Sequence, residues 1–293
     1  MNIVKVDKLN VDKLLIYWEN ISKEVPYFFE VSKEDFENCL FNDKRYGEEM
    51  FNYLDTYFVK ENNRVLGFIQ FGQPSFHFNS LGEKHYNPNI GVIRNIYYDE
   101  NKSDAGRELI ELAEGYFKKN NFEGNYAFYH ALGLSCNVYH GKLHKNKIYI
   151  EKLLFEYGYN IEHENIYYSL DLINLEEVSI DEDFRIILSG KNEYNKDHIK
   201  FVYKDIEIGG CEVLYMENIN TVYLNWIWVN DDYSNKGFGT KYMKLITKNF
   251  KNREFIRMDT DTANNNIRAQ RYYEKNGYIN KGYTRSYIRE IIK

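Results

Sequence analysis

The segment from Tyr223 to Tyr278 constrains the fold of this chain more than any other. It reads as an apolar strand (YLNWIWV), a turn (NDDYSNKGFGTK), a helix, a second strand (EFIRMDT) and a closing helical stretch (NNNIRAQRYYEKNGY). A strand that runs into a glycine-bearing turn and then a helix forms a pocket of backbone amides at the helix N-terminus. Such a pocket binds anions, because the unpaired N–H groups and the positive end of the helix dipole point into it. Gly237 and Gly239 have no Cβ, so a phosphate can approach the main chain closely.

Two motifs stand inside this segment in a fixed order. The first is the glycine pair of the turn, with one residue between its members. The second is an asparagine, an alanine, a tyrosine and a Glu-Lys-x-Gly-aromatic ending; its members are Asn266, Ala269, Tyr273, Gly277 and Tyr278. With one helix and one strand between them, the two motifs resemble the core of the GNAT acetyltransferase superfamily. The resemblance predicts an α/β (α+β) fold, in which a mixed, mostly antiparallel sheet is flanked by helices.

The resemblance implies an enzyme that moves an acetyl group from acetyl-CoA to a primary amine by direct attack. The amides of the glycine turn would hold the pyrophosphate, and the edge of the preceding strand would pair with the pantetheine amides. Asn266 would hydrogen-bond the pantetheine arm or cap its own helix, and both roles can hold at once. The expected cofactor-binding residues are Ile227, Trp228, Val229, Lys236, Gly237, Phe238, Gly239, Thr240, Asn266 and Ala269.

Tyr273 is the expected catalytic residue, since it matches the family tyrosine that lies close to the thioester sulfur. Its hydroxyl would give a proton to the departing thiolate. The neighbouring Tyr272 is the rival for this role, and either side chain could simply be a packed aromatic residue. No general base is evident, but Asp259 and Asp261 alternate with threonines, so both face one side of their strand and one of them could reach the cleft.

The sequence departs from the family pattern at two positions. Ser234 stands where the phosphate loop usually has Gln or Arg, and Asn225 stands near where many members carry a glutamate. Trp226 and Trp228 alternate with Asn225 and Ile227, so both faces of this strand are largely apolar. That pattern predicts a central, buried strand.

Composition limits the other functions open to the chain. Its 293 residues are enough for two domains, and 38 basic against 44 acidic side chains do not favour nucleic-acid binding. The apolar runs are too short for a membrane span, and the N-terminal sequence lacks the apolar core of a signal peptide. Three scattered cysteines indicate reduced thiols in a cytoplasmic protein. His140 and His144 lack a nearby acidic third ligand, so we expect no metal site.

An internal repeat is visible when the two halves are compared. Residues 90–99 (IGVIRNIYYD) would form a strand, ENKSDAG leads into the helix RELIELAEGYFKK, and a helix with a Gly-Tyr ending follows. Leu154 occupies the position of Tyr273, Lys147 that of Asn266, and Asp104 would repel pyrophosphate, so the first copy is expected to be degenerate. We therefore predict a degenerate GNAT-like domain over residues 1–172 and an acetyl-CoA-binding GNAT domain over residues 173–293.

The two copies also differ in their leading segments. Residues 11–54 have room for the two helices that open a GNAT domain, whereas residues 183–200 have room for one strand and a short connection.

Two other classes of function remain open. The chain could be a non-catalytic CoA-binding or protein-interaction module that keeps the GNAT fold, which the residues at 225 and 234 favour. It could also be a peptidoglycan-type aminoacyl transferase, although no heptad run of a coiled arm is present. The acceptor, a small-molecule or protein amine, is open, as is the choice between monomer and homodimer.

Overall fold

The computed structural model describes residues 1–79, 82–137, 140–176, 179 and 181–290. The chain forms two compact units. The first consists of residues 1–164 together with 284–293, and the second of residues 165–283. No helix among the described residues is both long and apolar enough to cross a membrane.

The first unit opens with two helices that precede most of its sheet. Its elements are, in chain order, β1 (Asn2–Lys5), α1 (Val11–Ser22), α2 (Lys33–Phe41), β2 (Lys44–Arg45), β3 (Glu48–Glu49), β4 (Phe51–Glu61), β5 (Arg64–Pro74), β6 (Phe76–Phe78), β7 (Lys84–Tyr86), β8 (Ile90–Tyr98), α3 (Ser103–Asn120), β9 (Gly124–Ala127), β10 (Leu143–His144), α4 (Ile148–Glu156) and β11 (Asn160–Asp171), whose second half belongs to the second unit.

The second unit has no α-helix among its described residues before the glycine turn. Its elements continue with β12 (Phe184–Leu188), β13 (Lys196–Tyr203), β14 (Ile206–Met216), β15 (Thr221–Val229), α5 (Phe238–Asn252), β16 (Arg257–Ala263), α6 (Ile267–Lys275) and β17 (Ile279–Glu290), whose second half belongs to the first unit. The difference in leading helices between the two halves is therefore as the sequence predicted.

Each unit contains a sheet with one parallel pair of strands in a mostly antiparallel order. In the first unit the order is β1-β4-β5-β8-β9-β17, and β8 and β9 are parallel. In the second unit the order is β12-β13-β14-β15-β16-β11, and β15 and β16 are parallel. The predicted mixed, mostly antiparallel fold is confirmed.

The repeat extends to details of strand pairing. In both parallel pairs the pairing starts at the first residue of the earlier strand, Ile90 in β8 and Thr221 in β15. Both strands also carry a bulge at their fifth residue, Arg94 in β8 and Asn225 in β15. The helices α4 and α6 are each nine residues long, and a left-handed glycine follows each of them.

Helix α5 packs on the sheet of the second unit through an apolar stripe. In α5 the buried residues include Tyr242, Met243, Ile246 and Phe250, at the spacing that places them on one face. The ring of Tyr242 stacks on Phe201 of β13 with the ring centroids 4.4 Å apart. This packing fixes the N-terminus of α5 relative to the sheet of the second unit.

The last strand of the chain contributes to both compact units. Residues 284–293 count with the first unit because β17 pairs with β9, with Tyr287 opposite Ala127. The first crossing between the units falls after Glu164, inside β11. A long strand can thus belong to two compact units, and the domain boundary near residue 172 stays a prediction from the sequence.

Candidate active site

A cavity of about 770 Å³ opens where the two parallel strands of the second unit part. Pairing between β15 and β16 covers only residues 221–223 and 257–259. The next contact is the Thr260 hydroxyl, which donates to the carbonyl of Leu224 at 2.9 Å. Beyond this point residues of both strand ends line the cavity, together with the N-terminus of α5 and one face of α6.

Most of the residues predicted to bind the cofactor line this cavity. The lining residues from that set are Ile227, Trp228, Val229, Gly237, Gly239, Thr240, Asn266 and Ala269, and Tyr273 lines it as well. The side chains of Lys236 and Phe238 do not. Phe238 packs instead against Phe184 and Tyr203, with ring centroids 5.1 and 4.9 Å apart, because the first residue of α5 faces the core.

The N-terminus of α5 presents its amides without a side-chain cap. Gly237 precedes the helix with φ 81°, a left-handed conformation in which a Cβ is strained. The first turn contains no acidic residue, and no side chain caps it. These amides therefore keep the geometry that binds an anion.

Gly239 packs closely against Tyr272 of α6. A Cβ at this position would lie 3.2 Å from the ring of Tyr272, and the Tyr272 hydroxyl donates to the Gly239 carbonyl at 2.8 Å. Tyr272 thus ties α6 to the first turn of α5. Its hydroxyl is already engaged, which favours Tyr273 as the residue with a chemical role.

Tyr273 projects from α6 into a buried aromatic environment. Its ring lies 5.7 Å from that of Tyr168 and 5.4 Å from that of Tyr278. Burial raises the pKa of the Tyr273 hydroxyl, and the neighbouring Thr260 hydroxyl opposes this only in part. The group is therefore protonated at neutral pH and can act as an acid.

Asn266 caps α6, one of the two roles considered for it. Its side-chain oxygen accepts a hydrogen bond from the amide of Ala269 at 3.1 Å. The cap fixes the start of the helix that carries Tyr273, and the remaining part of the Asn266 side chain faces the cavity.

The two aspartates of β16 have different environments. Asp259 is fully buried, forms an ion pair with Arg257 and accepts a hydrogen bond from Tyr167 at 2.8 Å. Asp261 lines the cavity and accepts hydrogen bonds from Tyr223, at 2.6 Å, and from Asn165. Only Asp261 of this pair can act on a molecule in the cavity.

Several residues that line the cavity were not predicted from the sequence. Arg268, Arg271 and Lys275 lie on one face of α6, three and four residues apart, and line the cavity with exposed side chains. Their spacing was a usable signal of a basic helix face.

The prediction that both faces of β15 are buried is wrong. Trp226 and Trp228 are 41% and 42% exposed and line the cavity. They are exposed because no leading helices cover them among the described residues of this unit.

The equivalent place in the first unit is filled by two tyrosines. Tyr98 ends β8 as Val229 ends β15, and Tyr149 is the second residue of α4 as Arg268 is of α6. The Tyr98 hydroxyl donates to the carbonyl of Tyr149 at 3.1 Å, and the Tyr149 hydroxyl donates to the carbonyl of Tyr98 at 2.8 Å. The Tyr98 ring also packs so closely on Gly106 that a Cβ there would lie 2.6 Å away.

The cavity thus combines parted strands, an uncapped helix N-terminus and a buried tyrosine. Residues 163–278, which make up most of the second unit, match the model of the acetyltransferase (GNAT) family. No curated protein matches the chain in sequence.

Solved structures extend the likeness to the whole chain. A tandem GNAT protein from the clavulanic acid biosynthesis pathway matches 99% of this chain over 98% of its own, with a TM-score of 0.65 and 11% identity. The match with a GCN5-related N-acetyltransferase from Sphaerobacter thermophilus covers 99% of this chain and 96% of that protein, with a TM-score of 0.65 and 8% identity. The match with a GNAT-family acetyltransferase from Colwellia psychrerythraea covers 99% of this chain and 100% of that protein, with a TM-score of 0.53 and 11% identity. The chain therefore has the tandem GNAT fold.

Proposed function

We propose that this protein is an N-acetyltransferase that moves an acetyl group from acetyl-CoA to a primary amine, with its site in the second unit. The observation that carries the proposal is the cavity between β15 and β16, which joins an uncapped helix N-terminus to a buried, protonated tyrosine. The acceptor is a small-molecule or protein amine. The free thiols of Cys39, Cys136 and Cys211 suit a cytoplasmic location.

The donor is held by groups of three kinds. The amides of residues 237–240 receive the pyrophosphate, where they and the helix dipole stabilise negative charge. The free edge of β15 at residues 227–229 offers backbone groups to the pantetheine amides, as another strand would. Arg268 and Arg271, exposed on the cavity wall, supply positive charge for the remaining phosphate of CoA.

Two side chains then manage the protons of the transfer. The attacking amine must be neutral, so a group in the cavity must receive its proton; Asp261 is held in place for this by Tyr223 and Asn165. Tyr273 gives its proton to the sulfur as the thiolate departs. Because burial raises the pKa of Tyr273, the proton is present at neutral pH.

The first unit is proposed to be a degenerate copy that does not bind CoA. Tyr98 and Tyr149 occupy the place of the cavity, and Asp104 stands at the second residue of α3, where Gly239 stands in α5. A carboxylate at a helix N-terminus competes with an anionic ligand for the same amides.

The test has two steps on the full chain. Acetyl-CoA should raise the melting temperature, since a ligand that binds only the folded state stabilises it. Release of free CoA in the presence of a panel of amines, measured with a thiol reagent, should then identify the acceptor class. A chain that shows no thermal shift with acetyl-CoA or CoA would contradict the proposal.

A non-catalytic CoA-binding module is the second candidate. It is favoured by Asn225, because an asparagine at this position means that β15 presents no carboxylate of its own to the cavity. The Asn225 amide donates to Glu212 at 2.7 Å. A thermal shift with CoA together with no CoA release across the amine panel would support this second function over the first.

A further inference from the structure

Two histidines and a glutamate come together in the first unit, and none of them lines the proposed acetyl-transfer site. His130, Glu162 and His163 each offer one ligand atom, and these atoms all lie within 4.8 Å of one another. His130 begins a short 3-10 turn after β9, and the other two residues lie in β11. His130 and His163 are far apart in the chain, so the sequence alone does not predict a metal site here.

Glu162 is the member of this cluster that most requires a partner. Its side chain is only 17% exposed. Its Oε2 is shielded from solvent and makes no hydrogen bond of normal geometry among the described residues, although the Ser286 hydroxyl lies close enough to act on the carboxylate. A buried carboxylate oxygen without a partner is costly, and a bound cation would satisfy it.

We propose that His130, Glu162 and His163 bind a divalent transition metal, with Zn²⁺ as the reference ion. Two imidazoles and one carboxylate are a donor set that Zn²⁺ uses in proteins. Three protein ligands leave one position of a tetrahedral ion for water, and the side chain of His163, 57% exposed, places that position near solvent.

The surroundings select against hard cations. Lys142 is buried, and its charge acts on both Glu162 and His163. Mg²⁺ and Ca²⁺ depend on several oxygen ligands and on net negative charge, so a site with one carboxylate next to a lysine does not hold them. Zn²⁺, Ni²⁺ and Cu²⁺ gain most of their binding energy here from the imidazoles.

The metal would connect two segments that are distant in sequence. The turn at residues 130–132 and the part of β11 that carries Glu162 and His163 both belong to the first unit. An ion shared by both restrains the segment between them, residues 133–161, in the folded state. This role is independent of acetyl transfer, so the metal proposal can succeed or fail separately from the proposed function.

The experiment uses the full chain without an affinity tag, treated with a chelator and then dialysed. Calorimetric titration with ZnCl₂ should show one ion per chain, and Co²⁺ should give the visible absorption of a low-coordinate cobalt site. H130A, H163A and E162Q should each weaken Zn²⁺ binding by about tenfold or more. The matched control is H85A, which removes an exposed histidine of β7 outside the cluster. MgCl₂ should give no binding heat.

Two outcomes would overturn the proposal. One is a wild-type chain that binds no stoichiometric Zn²⁺, and the other is Zn²⁺ binding that H130A and H163A leave unchanged. E162Q keeps the size of the side chain, so it carries the test if a histidine variant fails to fold. Retention of the acetyl-CoA thermal shift by E162Q would show that its loss of metal is not a loss of structure.

Discussion

At the scale of single residues, the site depends on which of two adjacent tyrosines performs chemistry. Burial raises the pKa of both hydroxyls, but the Tyr272 hydroxyl donates to the Gly239 carbonyl and that of Tyr273 does not. The motif predicted Tyr273 and left Tyr272 as a rival, and the contacts now give the two residues different expected phenotypes.

Replacing Tyr273 with phenylalanine should lower the rate of acetyl transfer by about tenfold or more, because the variant cannot protonate the thiolate. The affinity for CoA should change by less than about twofold, since the ring and its packing remain. A raised pKa keeps the wild-type hydroxyl protonated as the pH rises, so the ratio of the two rates should stay constant between about pH 7 and pH 9. Steady-state kinetics and calorimetry measure both quantities.

Tyr272→Phe is the matched control for that variant. It removes the hydrogen bond to Gly239 and leaves Tyr273 intact, so it should weaken CoA binding more than it slows the chemical step. A Tyr273→Phe enzyme at wild-type speed would show that the thiolate receives its proton from another donor.

Gly239→Asp should weaken CoA binding by at least about tenfold, because a carboxylate then occupies the anion site at the start of α5. The change reproduces in α5 the residue that α3 carries at its second position, Asp104. Calorimetry with CoA gives the affinity, and circular dichroism shows whether the protein remains folded. Gly115→Asp, at a helical position where a Cβ meets no atom within 4 Å, is the control and should bind CoA normally.

At the scale of elements, the same strand–helix–strand–helix order has two outcomes. In the second unit the ends of β15 and β16 part and leave a cavity; in the first, the equivalent strand end is joined to α4 by the pair Tyr98 and Tyr149.

Asp104→Gly should leave the affinity for CoA unchanged within about twofold. Removing the carboxylate takes away the repulsion, but the two tyrosines still fill the place where the ligand would lie. Calorimetry should also show a stoichiometry of one CoA per chain for both the wild type and the variant. A second CoA bound by Asp104→Gly would mean that charge alone keeps the first unit empty.

The sequence predicted the features that are local and missed those that depend on distant contacts. Gly237 and Gly277 were recognised as a helix start and a helix stop, because each needs a backbone conformation that a short motif encodes. The exposure of Trp226 and Trp228 was missed, since the apolar alternation of a strand does not say whether a helix covers it. The meeting of His130 with Glu162 and His163 was also missed, because it depends on how the chain returns after β9.

At the scale of the whole molecule, the last strand belongs to two units. Residues 279–283 count with the second unit, and residues 284–293 with the first. In the first unit Tyr287 is 1% exposed and donates to Glu151 at 2.7 Å, while Arg285 forms ion pairs with Glu151 and Glu164. The C-terminal half expressed alone would leave these groups without partners.

Tyr287→Ala should lower the free energy of unfolding by about 3–5 kcal/mol, because it removes a large buried ring. It also leaves the buried Glu151 without one of its hydrogen-bond donors. Ile279→Ala, at a position of the same strand that is 58% exposed, should cost less than about 0.5 kcal/mol. Urea unfolding measures both, and hydrogen exchange should show that the loss of protection in Tyr287→Ala begins in β9. Equal stability of the two variants would mean that β17 adds little to the first unit.

The placement of β17 has a consequence for synthesis on the ribosome. Domains usually fold in the order in which they emerge, the N-terminal one first. Here the sheet of the first unit lacks the strand beside β9 until residues 284–290 have left the exit tunnel. The unit that begins first therefore finishes last, and during that interval the open edge of β9 is a site where a nascent chain can pair with the wrong strand.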